Sequence, residues 1–130
     1  MGVMPKDETA AAGPLILIVE DYDDTRTMLE LTLRKRGYRV VSAADGEAGY
    51  EIALRERPDL ILMDIHMPGA DGLSITRRLR GREEARSVPI VAFSAYGGEM
   101  RERAREAGCD AYIETPVGPD ELIEKISSLL

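Results

Sequence analysis

Acidic residues end two of the most apolar stretches of this sequence. The run 60–63 leads directly into Asp64, and the run 15–19 leads into Glu20 and Asp21. Short apolar runs of this kind are typical of buried β-strands. Carboxylates that meet at the ends of neighbouring strands repel one another, which raises a pKa or favours the binding of a cation. These three residues are therefore the first candidates for chemistry.

A few partly solvated carboxylates suit Mg²⁺, which keeps several waters and also accepts phosphate oxygens. Such a site can support phosphoryl chemistry in which a carboxylate is the nucleophile and becomes an aspartyl phosphate. A hydroxyl at the end of another strand, such as Ser94, can donate to a phosphoryl oxygen. The simpler interpretation is that each acidic residue is a helix cap or a loop residue, and their joint placement argues against it.

Five apolar runs alternate with five amphipathic stretches. Five strand–helix units in series predict an α/β fold, a doubly wound five-stranded parallel sheet with helices on both faces. Ligands of such folds bind beyond the carboxyl ends of the strands, where the candidate residues fall. The predicted strands cover residues 15–19, 38–43, 60–64, 89–94 and 110–113, and the predicted helices cover 23–35, 45–57, 72–80, 99–107 and 119–130.

The helix over 23–35 carries two further expectations. The polar residues 23–25 are expected to cap its amino end. Its apolar side is expected to lie inside the fold, and consists of Met28, Leu29, Leu31, Thr32 and Leu33.

The composition limits the class of protein. The chain has 130 residues, about one domain, and 44% of them are hydrophobic. Its formal net charge of −7 argues against DNA or an anionic membrane as the main partner. No apolar run approaches the roughly 18 residues of a membrane-spanning helix. A single cysteine, Cys109, rules out an internal disulfide and favours a cytoplasmic protein. We interpret residues 1–14 as a flexible tail before a domain over 15–130.

Four motifs together resemble the receiver domain of response regulators, the flavodoxin-like module of two-component signalling. The resemblance covers residues 15–130 and implies the strand order 2-1-3-4-5. It implies a signalling phosphoacceptor rather than an enzyme that acts on another substrate. The motifs are Glu20-Asp21, Asp64-x-x-Met67-Pro68-x-x-Asp71-Gly72, Ser94-Ala95, and Gly108-x-Asp110-x-Tyr112 leading into Pro116.

The resemblance implies a role for the residues around the acidic cluster. Asp64 is expected to accept a phosphoryl group from a phosphohistidine of a histidine kinase or phosphotransfer protein. Mg²⁺ is expected to bind Asp21, Asp64 and the backbone carbonyl of His66. Glu20 is expected to reach the ion through a water.

The resemblance also implies how the phosphoryl group is sensed. Ser94 is expected to hydrogen-bond the group and move inward, and Tyr112 to change rotamer with it. His66 and Tyr96 are expected to tune the lifetime of the acyl phosphate. The fourth helix, fifth strand and fifth helix form the expected face for a downstream protein.

One position departs from the family pattern. The family places a lysine immediately before the proline that follows strand five, and this chain has Thr115 before Pro116. A hydrogen bond to a charged group contributes about 1.5–3 kcal/mol, so we expect weaker coupling from phosphorylation to the output face. Alternatively, Mg²⁺ neutralises the site and a lysine at this position is dispensable. Arg101 and Arg103 are candidates to supply the missing positive charge. The resemblance implies a cis bond before Pro116, which the sequence alone does not favour.

Two other functions remain open. The chain can be a pseudo-receiver, a binding module that works without phosphorylation. It can also be read as a phosphatase of the haloacid-dehalogenase type, with Asp21 as nucleophile and Asp23 as acid/base, although this leaves the motif at Asp64 unexplained. Because the sequence ends at its last predicted helix, we expect signalling through a partner in trans. The sequence does not identify the kinase or the target. It also leaves the oligomeric state open, and a homodimer is one of the options.

Overall fold

Strands and helices alternate throughout the computed structural model, which describes residues 13–67, 71–95 and 98–130. The expected tail therefore lies outside the described residues, apart from Gly13 and Pro14. A short 3₁₀ helix (Glu83–Ala85) precedes the fourth strand. The elements are β1 (Leu15–Val19), α1 (Asp23–Lys35), β2 (Arg39–Ala43), α2 (Gly46–Glu56), β3 (Leu60–Asp64), α3 (Gly72–Arg80), β4 (Ile90–Ser94), α4 (Gly98–Ala107), β5 (Ala111–Glu114) and α5 (Pro119–Ser128).

The five strands form one parallel sheet in the order β2-β1-β3-β4-β5. This confirms the predicted α/β architecture and the flavodoxin-like strand order. The register aligns the carboxyl ends of the central strands, with Val19 opposite Met63 and Asp64 opposite Phe93. Residues that follow these strands therefore gather at one edge of the sheet.

Helices cover both faces of the sheet and produce two apolar cores. One core joins the sheet to α2, α3 and α4, and the other joins it to α1 and α5. β3 and β4 are buried along their whole length because a helix layer lies on each side. None of the helices in the described part of the chain combines the length and apolarity needed to span a membrane.

Two expectations for α1 are wrong. Its N-cap is Tyr22, and no side chain there caps a backbone N–H. Leu29 and Leu33 are buried as expected, whereas Met28 and Leu31 are 58% and 54% exposed. The helical period explains the difference, because residues four apart share the face toward the sheet and Met28 and Leu31 are rotated away from it. Other helix and strand ends differ from the prediction by one or two residues.

Gly72 allows α3 to begin against the end of β3. A Cβ at this position would lie 2.4 Å from the Asp64 carbonyl oxygen and 2.8 Å from the Ile65 Cα. Asp71 caps the helix by accepting a hydrogen bond from the Ser74 N–H at 2.8 Å. The Asp71-Gly72 pair therefore fixes the backbone that carries Asp64.

Replacing Gly72 by alanine should lower the free energy of unfolding by about 1–3 kcal/mol, because the neighbours of the new methyl group are backbone atoms. Urea denaturation measures this change. Gly98→Ala is the matched control, since a Cβ there meets nothing within 4 Å and α4 should keep or gain stability. Equal losses in the two variants would contradict the close approach.

Candidate functional site

Three carboxylates converge at the carboxyl edge of the sheet. Glu20 and Asp21 follow β1, and Asp64 ends β3, the strand beside it. One ligand oxygen from each residue lies within 4.8 Å of the other two. Glu20 and Asp64 are buried, at 4% and 8% exposure, and Asp21 is half-buried. The structure thus brings together the three acidic residues that the sequence singled out.

Burial and mutual repulsion disfavour full ionisation of this cluster. Burial raises the pKa of Glu20 from 4.5 to about 8, and the carboxyls of Asp64 and Asp21 raise it further. A hydrogen bond from the Tyr22 N–H, at 2.9 Å, acts in the opposite direction. Burial likewise raises the pKa of Asp64, against the hydrogen bond that the His66 N–H donates to its Oδ1 at 2.9 Å. A cation would relieve this energetic cost.

Ser94 and Thr115 complete the polar end of the site. Ser94 is the last residue of β4 and is 3% exposed. Its carbonyl oxygen accepts a hydrogen bond from the Thr115 N–H at 2.8 Å, which sets Thr115 beside it. The Thr115–Pro116 bond is cis. Both residues line the same cavity as Glu20 and Asp64.

This cavity has a volume of about 560 Å³ and continues from the carboxylates into a groove between α1 and α5. The groove walls are mostly apolar, with Met28 and Leu29 on one side and Val117 and Leu122 on the other. The lining residues, all from the described part of the chain, include no lysine or arginine. The sequence did not predict this groove, although threonine and apolar residues recur at helical spacing on α1 from Thr25 onward.

The remaining predicted residues lie in three different places. His66 is exposed and lines the cavity. Tyr112 is buried, and the guanidinium carbon of Arg101 lies 5.0 Å from the centre of its ring. The Arg103 guanidinium donates to the Met100 sulfur at 3.7 Å. Neither arginine lines the carboxylate cavity, and Tyr96 lies outside the described residues.

Arg26 is a neighbour of the site that the sequence interpretation missed. Its guanidinium donates to the Glu20 carbonyl oxygen at 3.0 Å and also pairs with the Asp23 carboxylate. It thereby ties the first turn of α1 to the end of β1. No pattern in the sequence marks this contact, because it depends on how the helix starts.

Comparison with known proteins defines the class of protein. The family model described as the response regulator receiver domain matches residues 16–127. The chain therefore belongs to the response regulator receiver domain family, as the motifs indicated.

Curated relatives agree with this assignment. The polar-differentiation response regulator DivK of Brucella anthropi is 36% identical over 116 residues, which are 88% of this chain and 94% of that protein. The transcriptional regulatory protein AfsQ1 of Streptomyces coelicolor is 37% identical over 118 residues, which cover 90% of this chain but 51% of that protein.

Solved structures agree as well. The receiver domain of the sensor histidine kinase PA1611 from Pseudomonas aeruginosa, with a magnesium ion coordinated in its active site cleft, is 41% identical with a TM-score of 0.83 and covers 91% of this chain and 98% of its own. The chemotaxis protein CheY4 of Vibrio cholerae is 27% identical with a TM-score of 0.87 and covers 92% and 100%.

The raised pKa of Glu20 predicts how stability depends on pH in the absence of divalent cations. Between pH 4.5 and about 8, folded Glu20 keeps a proton that the unfolded chain has lost. The free energy of unfolding should therefore fall as the pH rises from 5 to 8.5. Denaturation in EDTA at several pH values measures the slope, which should be shallower in Glu20→Gln.

Glu47→Gln is the control for this slope. Glu47 is an exposed carboxylate whose pKa is lowered by its hydrogen bonds to Arg78, so it stays ionised over the whole range. Its replacement should leave the slope unchanged. A slope in Glu20→Gln as steep as in the wild type would contradict the assignment.

Proposed function

We propose that this protein is a single-domain response regulator that accepts a phosphoryl group on Asp64 and signals to another protein in trans. The convergence of Asp64 with two further carboxylates, beside the hydroxyl of Ser94, is the observation that supports this function most. The donor is a histidine kinase or a phosphotransfer protein, as expected of the family. The relation to DivK, of which the chain matches 94%, supports the single-domain form.

In the proposed reaction, a carboxylate oxygen of Asp64 forms a bond to the phosphorus of a phosphohistidine. The bond between phosphorus and the imidazole nitrogen breaks, and that nitrogen keeps the electron pair. The His66 N–H holds Oδ1 of Asp64, which orients the carboxylate for attack. The hydroxyl of Ser94, a residue that lines the same cavity, donates to an oxygen of the transferred group in this proposal.

The donor set fits Mg²⁺. It consists of hard carboxylate oxygens within 4.8 Å of one another, at a site whose full ionisation is unfavourable without a cation. Asp21, Asp64 and the backbone carbonyl of His66 would hold the ion, and Glu20 would reach it through a water. When bound, Mg²⁺ neutralises charge on the phosphoryl oxygens.

Two observations favour this function over its alternatives. A phosphatase of the haloacid-dehalogenase type needs Asp23 as acid/base, but the Asp23 side chain is 82% exposed and pairs with Arg26. A binding module that works without phosphorylation does not need Glu20, Asp64 and Ser94 to line one cavity, with Asp21 within 4.8 Å of both carboxylates.

Incubation with a small acyl phosphate and Mg²⁺ should add one phosphoryl group to the wild-type protein. Asp64→Asn should add none, because its amide is not a nucleophile for phosphorus. Intact-mass spectrometry measures the gain, and fragmentation locates it. Asp24→Asn is the control, an exposed acidic residue in the first turn of α1, and should behave as the wild type. A phosphoryl group on Asp21 would contradict the proposal.

Thr115 sets the strength of the response. It stands where the family has lysine, and its hydroxyl carries no charge to the phosphoryl group. Tyr112 on β5 is buried, with the Arg101 guanidinium over its ring. The output face of α4, β5 and α5 is therefore expected to respond weakly to phosphorylation.

Thr115→Lys should strengthen that response, because it restores a cation beside the phosphoryl group. We expect the equilibrium between the two states of the output face to shift by ~10-fold or more. Amide shifts of α4 and β5, recorded with and without phosphorylation, measure this shift. Ser127→Lys adds the same charge to an exposed position of α5 and should have no effect. Equal responses from wild type and Thr115→Lys would contradict the role of Thr115.

His66 and Tyr96 are proposed to shield the acyl phosphate from water. His66→Ala should shorten the lifetime of phosphorylated Asp64 several-fold, since the exposed imidazole lines the cavity that contains it. The decay of the mass gain after removal of the donor measures the lifetime. An unchanged decay in both His66→Ala and Tyr96→Ala would contradict this role.

A further inference from the structure

We propose that the groove between α1 and α5 binds a lysine side chain presented by a protein partner, with its ammonium group facing the carboxylates of Glu20 and Asp64 at the inner end of the cavity. The inference deepens the proposed function, on which it rests for the consequence of binding. The binding itself does not require phosphorylation, so it can be tested separately.

The negative charge of the carboxylate cluster exceeds what one divalent ion compensates, which favours the binding of a second cation. A divalent ion compensates two of three ionised carboxylates and leaves one negative charge, and a phosphoryl group adds more. The residues described around the cavity provide no lysine or arginine to balance it. Arg26, the neighbouring guanidinium, is engaged by the Glu20 carbonyl oxygen and the Asp23 carboxylate. Thr115, at the polar end of the cavity, contributes only a neutral hydroxyl.

The shape of the groove suits an alkyl chain with a charged tip. Its walls are aliphatic, with Met28 and Leu29 facing Val117 and Leu122, and its inner end is acidic. The volume of about 560 Å³ falls within the range of sites that enclose small ligands. Lysine carries a compact charge on a flexible four-carbon stem, and long basic side chains bury that stem along apolar surface. Its compact ammonium group can approach the carboxylates of Glu20 and Asp64 at the inner end of the cavity more closely than a planar guanidinium can.

The surface around the groove indicates a protein as the source of the lysine. Tyr22, Met28 and Leu31 lie on α1 or at its N-cap and are 63%, 58% and 54% exposed. A free amine in the groove would contact Met28, a groove wall, but would leave Tyr22 and Leu31 in water. A protein that docks on α1 buries them and places its lysine in the groove at the same time.

Two probes separate the sources of the ammonium group. Butylammonium reproduces the lysine side chain alone, and Nα-acetyl-lysine methylamide reproduces it on a peptide backbone. Each is titrated into ¹⁵N-labelled wild-type protein with Mg²⁺ and without a phosphoryl donor. Both should give saturable amide shifts at Thr25, Leu29, Thr115 and Leu122. Butanol, the neutral analogue, should bind at least ~10-fold more weakly, because it lacks the charge.

Variants control for the position of the binding site. Thr115→Lys places a cation at the same end of the cavity and should weaken butylammonium binding at least ~10-fold. Ser127→Lys adds an equal charge elsewhere on α5 and should bind as the wild type does.

Three results would overturn the proposal. The first is the absence of saturable shifts with either probe, and the second is equal binding by Thr115→Lys and wild type. The third is binding of butylammonium without binding of the lysine derivative, which would assign the groove to a free amine. Failure of Asp64 to accept a phosphoryl group would contradict the proposed function but would leave these shifts unchanged, so the two failures are distinguishable.

Discussion

The repulsion among three carboxylates held at the ends of two adjacent parallel strands is the constraint on which the site depends. β1 and β3 are hydrogen-bonded in register, so Glu20 and Asp64 stay together as long as the ladder is intact. Both side chains are buried, which disfavours their charged forms and raises the pKa of Glu20 to about 8. A cation at this edge of the sheet would stabilise the ionised cluster, and ionised Asp64 is the form that the proposed phosphoryl transfer requires.

The elements around the cluster hold it in place. The carbonyl of Asp64 lies against Gly72 at the start of α3, which leaves no room for a side chain there. The N–H of Thr115 fixes the end of β5 to Ser94 on β4. These contacts are made by backbone atoms of strands and by helix ends, so Asp64, the proposed phosphoacceptor, lies on a rigid frame. The open part of the site lies on the other side, where the cavity enters the groove between α1 and α5.

The sequence predicted the sheet and the acidic cluster because both depend on simple periodic rules. Strands buried on both faces appear as short apolar runs, and acidic residues directly after them must meet at one edge. The orientation of α1 was harder to predict from the sequence, because Met28 and Leu31 are as apolar as Leu29. Only packing against the sheet shows which face of the helix is buried. The groove was not predicted at all, because it is a space between two helices far apart in sequence. The inward movement expected of Ser94 and the significance of Thr115 came from resemblance to the receiver family, whereas the strand-end position of Ser94 already indicated a hydrogen bond to a phosphoryl oxygen.

Proton release on Mg²⁺ binding tests the central claim most directly, namely that the carboxylate cluster needs a cation to ionise. Calorimetric titration in buffers of different ionisation enthalpy counts the protons released. Because the pKa of Glu20 is about 8, close to one proton should be released at pH 7, and the number should decline above pH 9. The Glu20→Gln variant should release far fewer protons on Mg²⁺ binding at pH 7. Mg²⁺ binding that releases no proton at pH 7, with the same affinity at pH 6.5 and 8.5, would contradict the account.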